Sequence, residues 1–227
     1  MEADVIELAE LCERYRVLTV PEVCDALYEL RAPEQVLSSK LRPLLSDTTI
    51  VGEAFTVLGT DTIPPVGWDE GVIRVQSYLN MLDEVTPNTV MVHTNRGPST
   101  MGNFGELTAN AVQQRGCQGV ILDGNLRDSA GMRAIDFQIF YKDYSPLNGI
   151  GRWHLVSFQE PVTVDGIEIV PGDIICADFD GVVVIPRTDA ERVLITAEAV
   201  SEAELHVRAE MQNGMAPLES FQTHGHF

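Results

Sequence analysis

Positive charge is scarce in this chain: 15 basic residues stand against 34 acidic ones, for a formal net charge of −19. Such a surface repels phosphate backbones and anionic lipid heads, so nucleic acid and membrane are excluded as expected partners. Lysine is scarcer still. Only Lys40 and Lys142 occur, the other cations being arginines, which fits either a base-composition bias or a salt-adapted surface. Cysteine is sparse and scattered: Cys12, Cys24, Cys117 and Cys176 form no Cys-x-x-Cys pair, which signals neither a zinc knuckle nor a disulfide framework, and their apolar neighbours suggest buried free thiols. No apolar run approaches the roughly 18 residues of a membrane span, and Met-Glu-Ala-Asp-Val-Ile-Glu has none of the basic start of a signal peptide. The expectation is a soluble, cytoplasmic protein.

What is present is enough apolar sequence, 44% of 227 residues, for one good core. The expectation is a single domain over residues 1–227, with N-terminal helices in 1–30, a βα core in 49–186, and a C-terminal helix and tail in 188–227. Residues 4–15 and 20–30 have helical periodicity, the second opening on a capping box of Thr19 with Glu22. Alternation follows: strand 49–58, helix 69–82, strand 89–93, helix 105–115, strand 118–123, short helix 129–135 and strand 137–141. That βαβαβαβ order predicts an α/β fold with parallel pairing. Beyond residue 152, short strands at 153–158, 162–164, 167–170, 174–177 and 182–185 are parted by turn sequences, so this part of the sheet is predicted antiparallel. A second capping box, Thr188 with Glu191, predicts the start of a long helix ending near Asn213-Gly214.

Chemistry gathers at two places. Val120-Ile121-Leu122-Asp123-Gly124-Asn125-Leu126-Arg127-Asp128 begins as a buried strand and ends in charge. The open ends of parallel strands are where α/β proteins place ligands. Arg127 and Asp128, adjacent and so poorly placed to pair with each other, could grip two parts of one small ligand, a carboxylate and a hard cation respectively. An ordinary turn, with Arg127 and Asp128 solvated or Asp128 capping the next helix, is the usual origin of such a sequence. The second place is Gly102-Asn103-Phe104-Gly105-Glu106-Leu107-Thr108, read as a flexible loop opening a helix. The free N–H groups of Leu107 and Thr108 suit an anion, while Glu106 favours a helix dipole or faces Arg127-Asp128 across a cleft.

These stretches resemble the RraA-like family, which includes the class II 4-hydroxy-4-methyl-2-oxoglutarate / 4-carboxy-4-hydroxy-2-oxoadipate aldolases. Gly105-Glu106-Leu107, with twenty residues between Glu106 and Arg127-Asp128, is the specific part; Thr19 to Leu27, Gly166 through Pro186, and Gly214 to Phe227 agree with it. The resemblance implies a swivelling β/β/α domain in trimers or hexamers, with sites between subunits. It assigns Asp128 to hold Mg²⁺ or Mn²⁺ largely through waters. It assigns Arg127, with the backbone of Gly105, Leu107 and Thr108, to bind the carboxylate of a 2-oxo acid, and Glu106 to orient the water that moves the proton. Two positions depart from the pattern: Glu106 stands where aldolases usually have Asp, and Gly131 where many members carry an acid. A neighbouring subunit is expected to lend a glutamate, matched to Glu204, with Glu202 second. The implied reaction is retro-aldol cleavage to pyruvate, with oxaloacetate decarboxylation beside it. The alternative is a non-catalytic regulator of ribonuclease E.

The residue types suit that chemistry independently. Cleavage beside a 2-keto acid leaves an enolate, which a divalent cation or a lysine Schiff base must stabilise. Lys40 and Lys142 both read as unburied, favouring the metal. On the last helix Val193, Ala197, Val200, Val207 and Met211 form an apolar stripe interrupted by Glu204. Three lesser candidates are set lower. His93, beside Arg96 in sequence, is structural or lines the cleft. Asp178-Phe179-Asp180-Gly181 mimics the start of a calcium loop but has Asp189 at its twelfth position, so it reads as a turn. His224 and His226 in the tail receive no function.

Overall fold

Several strands of this sequence are apolar throughout rather than alternately polar. Successive side chains of a strand point to opposite faces, so such a strand must be covered on both sides. The computed structural model, which describes residues 6–33 and 35–224, shows both coverings. Val90, Val92, Ile121, Phe140, Ile175, Ala177, Val182 and Val184 enter one core. Their neighbours Met91, Val120, Leu122 and Ile139 enter a second, and Cys176, Val183 and Ile185 a third.

The elements in chain order are α1 (Leu8–Arg16), α2 (Val20–Glu29), β1 (Gln35–Val36), β2 (Arg42–Pro43), β3 (Ile50–Asp61), α3 (Trp68–Leu82), β4 (Thr89–Asn95), β5 (Gly102–Phe104), α4 (Glu106–Gln113), β6 (Gly119–Leu126), α5 (Ser129–Ala134), β7 (Ile139–Tyr144), β8 (Trp153–Phe158), β9 (Val162–Val164), β10 (Ile167–Ile169), β11 (Ile174–Asp178), β12 (Gly181–Ile185), α6 (Ala190–Gln212) and α7 (Pro217–His224). The main sheet runs β1-β12-β11-β3-β4-β6-β7-β2, with β5 on β6 and β8 on β3. Strands β3, β4, β6 and β7 are parallel, as the alternating order predicted, and β11 and β12 join antiparallel. Strands β1 and β2 stand at opposite ends of that order yet only residues 37–41 separate them, so the sheet curls back toward itself. Leu37 and Leu41 of this connection, with Val162, Val164 and Ile169 of the separate β9–β10 hairpin, pack into the first core inside the curl. Helices α3, α4 and α5 cover one part of the sheet's outer face, and α1, α2 and α6 the other part.

The first capping box forms as expected, with Glu22 N–H donating to Thr19 Oγ1 and Thr19 N–H to Glu22 Oε2. The second does not. Helix α6 opens on Asp189, one residue beyond Thr188, without a side-chain cap, and the Glu191 carboxylate accepts from the backbone N–H of Ile6 at 3.2 Å. Helix α1 starts at Leu8; its expected opening at residue 4 falls outside the described residues, as do residues 225–227 with His226. Helix α7 lies in a stretch expected as tail. Among the described residues no helix is long and apolar enough to cross a membrane.

Candidate active site

The turn expected at Asp123-Gly124-Asn125 is strand. Helix-side and core-side packing hold β6 up to Leu122; beyond it the pairing with β7 shifts register, and β5 becomes a second partner through Gly102↔Asn125 and Phe104↔Leu126. Asparagine amides make this possible by satisfying the backbone where the ladder is irregular. Asn125 N–H donates to Asn103 Oδ1 at 3.1 Å, and Asn125 Nδ2 donates to the carbonyls of Ser99 and Met101. Gly102–Phe104 is therefore a fixed strand, not a flexible loop. Arg127 N–H donates to Phe104 O at 2.9 Å, which delivers Arg127 to the junction of β5 and β6.

Two glycines make the room that Arg127 and Asp128 occupy. A Cβ on Gly102 would lie 2.8 Å from Arg127 Cβ, and one on Gly105 would lie 2.6 Å from Asp128 Oδ2 and 2.9 Å from Arg127 Cγ. Both side chains thus lie directly over the backbone that opens α4. Contrary to expectation, they pair: Arg127 Nε stands 3.1 Å from Asp128 Oδ2. The reason is backbone geometry. Asp128 adopts the left-handed region, φ 55° and ψ 34°, which aspartate tolerates and which turns its carboxylate back toward its neighbour. Asp128 consequently stands at the N-cap position of α5 without using its carboxylate to cap it. Only Nε of the guanidinium is engaged, so its Nη1/Nη2 edge is open among the described residues.

Helix α4 offers what that edge lacks. Its N-cap is Gly105, which has no side chain to accept from the first-turn N–H groups, so the amides of Leu107 and Thr108 have no partner within the described residues. Leu107 beside them is 84% exposed. Glu106, the first residue of α4, reaches across to α5: its Cδ would lie 2.5 Å from a Cβ on Gly131. Each helix start therefore lays a carboxylate over a glycine of the other, Asp128 over Gly105 and Glu106 over Gly131.

Other expected site residues lie elsewhere. Glu204 is half-buried on α6 and pairs with Arg208 at 3.5 Å; no contact joins it to Arg127, Asp128 or Glu106 within one chain. Glu202 is exposed. Lys142, read as unburied, is half-buried and paired: its Nζ is held 2.6 Å from both Asp123 Oδ1 and Asp165 Oδ1. Burial pulls its pKa down, but the two carboxylates outweigh that and keep it above its ordinary value. With Asn95, Ser99, Asp123 and Asn125 it lines a cavity of about 300 Å³ that sequence reasoning missed, because it is assembled from residues of three separate stretches of the chain. His93 does not line the cleft. It is fully buried, stacked on Trp153 at 5.3 Å and edge-on to Tyr78 and Phe104, and neither ring nitrogen has a hydrogen-bond partner among the described residues. Burial lowers its pKa to about 4, so it is neutral. Asp178–Gly181 is the β11–β12 turn as read, with Asp178 Oδ2 accepting Val20 N–H at the start of α2.

Among the described residues no three His, Cys, Asp or Glu side chains converge as a metal cage. Asp128, with Glu106 from the adjoining helix start, offers one or two oxygen donors. Such a set fits a hard divalent cation that keeps most of its waters, and does not fit zinc.

Comparisons with known proteins bear on this arrangement. The sequence profile of the RraA-like family, described as aldolase/RraA, matches residues 20–184. A Halalkalibacterium halodurans protein named provisionally as a 4-hydroxy-4-methyl-2-oxoglutarate aldolase is 31% identical over 205 residues, 87% of this chain and 88% of that protein. DlpA of Legionella pneumophila is 26% identical over 193 residues, 85% of this chain, which spans only 30% of that longer protein. The crystal structure of Streptomyces coelicolor RraAS2, described as an unusual member of the RNase ES inhibitor RraA family, superposes with a TM-score of 0.74 at 24% identity, covering 91% of this chain and 99% of its own. With its profile match over most of its length and a curled mixed sheet shared with a solved relative, the chain belongs to the RraA-like family.

Proposed function

We propose that this protein is a divalent-metal-dependent aldolase. Its substrate in this reading is a 4-hydroxy-2-oxo acid of the 4-hydroxy-4-methyl-2-oxoglutarate kind, cleaved to pyruvate and a second oxo compound, with oxaloacetate decarboxylation as a related activity. The observation that carries the reading is the open edge of Arg127 set over Gly105, next to the unpartnered amides of Leu107 and Thr108. A planar fork and two backbone donors together match a 2-oxo carboxylate. The relative that shares 31% identity and carries an aldolase name supports the same class.

In this mechanism Arg127 and the α4 amides hold the 2-oxo carboxylate and so fix the C3–C4 bond over the α4–α5 junction. Asp128, with Glu204 of a neighbouring copy acting on its waters, would hold Mg²⁺ or Mn²⁺, which supplies positive charge to stabilise the developing enolate. Glu106 orients the water that accepts the 4-hydroxyl proton; the C3–C4 bond breaks, its electron pair passes into the enolate, and a proton returned to C3 gives pyruvate. A Schiff base is the competing electron sink. Lys142 is held protonated between two carboxylates, and Lys40 is exposed in a turn, so neither supplies the desolvated neutral amine that route needs.

The role given to Glu204 requires a homo-oligomer, which this reading takes to be a trimer or hexamer with sites between subunits. The outer face of α3 supports assembly, since Trp68, Val72, Ile73 and Leu79 are all exposed there. Pyruvate release from a panel of 4-hydroxy-2-oxo acids and oxaloacetate tests the function. Release from at least one member, abolished by Arg127→Ala, is expected. Release from none would overturn it in favour of a binding protein of the ribonuclease regulator kind.

A further inference from the structure

Gly131 is the third residue of α5 and its backbone is helical, with a φ outside the left-handed region. Nothing in its conformation requires glycine, and glycine is among the least favourable residues inside a helix. The space beside it is what excludes a side chain. A Cβ there would lie 2.5 Å from Glu106 Cδ and 3.0 Å from Glu106 Cγ, with Oε2 closer still. The Glu106 carboxylate thus fills the volume that any other residue at 131 would claim.

We infer that Gly131 is a positioning residue: its missing side chain is the seat that fixes the Glu106 carboxylate at the α4–α5 junction. The consequence for catalysis rests on the role given above to Glu106. Without the seat, the arm of Glu106 has rotamer freedom; with it, the carboxylate stays over Gly131 at the α4–α5 junction, where in this reading it orients the proton-moving water. The group in the way is the free end of a flexible arm, so adding a methyl displaces the carboxylate without breaking the fold. That separates positioning from structural support, because a merely structural glycine would show its loss in stability first.

The test is a four-member set: wild type, Gly131→Ala, Glu106→Asp, and the two together. Gly131→Ala is expected to keep or raise Tm while kcat falls by roughly ten- to a hundredfold with little change in KM, the scale of a catalytic group misplaced by about an ångström. With the shorter Asp at 106 the methyl meets no carboxylate, so adding Gly131→Ala to Glu106→Asp should cost no further kcat. Full kcat in Gly131→Ala, or an equal loss whether Glu or Asp stands at 106, would overturn the inference. Should no variant, wild type included, release pyruvate, the functional reading fails separately. The seat itself is then read from Tm alone: Gly131→Ala should raise Tm more in a Glu106→Ala background than beside native Glu106, and equal shifts would overturn it.

Discussion

Arg127 shows how far a single residue can be read before its surroundings are known. Sequence position placed it at the end of a parallel strand. Its pairing with Asp128 was not legible, because it depends on a left-handed backbone at 128 that no residue type dictates. Since the pairing uses Nε alone, the open edge should bind a carboxylate through two nitrogens. Arg127→Lys retains the charge but only a single-point contact. The loss of one charge-assisted bond in a partly desolvated site costs about 2–3 kcal/mol, so kcat/KM should fall by tens to hundreds-fold. A normal kcat/KM in that variant would remove Arg127 from its role. His93 was open to two readings, and only burial decided between them. Its pKa of about 4 lies below the ordinary 6.5, so the unfolded chain takes up a proton in a range where the folded one does not. Its contribution is complete above pH 6.5 and is lost as pH falls toward 4, amounting to roughly 3 kcal/mol at about 1.4 kcal/mol per unit. Denaturant midpoints at pH 7 and 4.5 should therefore diverge in the wild type, and less so in His93→Phe, which keeps the aromatic packing and has no proton to gain. Equal pH dependence in both would contradict this.

Elements were legible where local sequence alone decides them. The parallel run β3, β4, β6, β7 and the antiparallel β11–β12 pair follow from apolar runs and turn residues. Elements whose existence depends on a distant partner were not legible. Strand β5 is three residues that pair only because β6 continues past its turn sequence, and β1 and β2 are two residues each at opposite edges of the sheet. The two Thr-x-x-Glu sequences make the same point. Thr19 and Glu22 close their box locally, whereas Glu191 is diverted to Ile6, far away in the chain. Thr19→Ala should then lower stability by about 1 kcal/mol, a Tm decrease of roughly 2–4 °C, while Thr188→Ala should leave Tm unchanged. Equal decreases for both would mean that the second box also carries weight. Glu106 and Gly131 read from sequence as two separate departures from the family pattern. In space they are one feature, since the longer arm lies where the missing side chain would be.

At the scale of the whole molecule, composition announced an acidic chain with apolar sequence for one good core; the fold divides that sequence among three, one inside the curled sheet and two between its outer face and the helices. The apolar stripe of the last helix is buried within the chain at Val193, Ala197, Val200 and Val207, so it is no sign of assembly, and only Glu204 is left to suggest one. Within one chain that carboxylate meets Arg208 and not the site, so its proposed role needs a second copy. Mixing inactive Arg127→Ala with inactive Glu204→Ala subunits, dissociated and reassembled together, should restore activity by regenerating some wholly native sites. A mixture that stays inactive despite proven subunit exchange would mean that Glu204 does not act across an interface. The central claim is metal-dependent cleavage at the Arg127–Asp128 junction. Its most direct test is pyruvate release from 4-hydroxy-4-methyl-2-oxoglutarate, measured before chelation, after complete removal of divalent ions, and after Mg²⁺ or Mn²⁺ is returned. Release that stops on chelation and resumes on metal addition is predicted; release that continues unchanged after complete chelation would contradict the account.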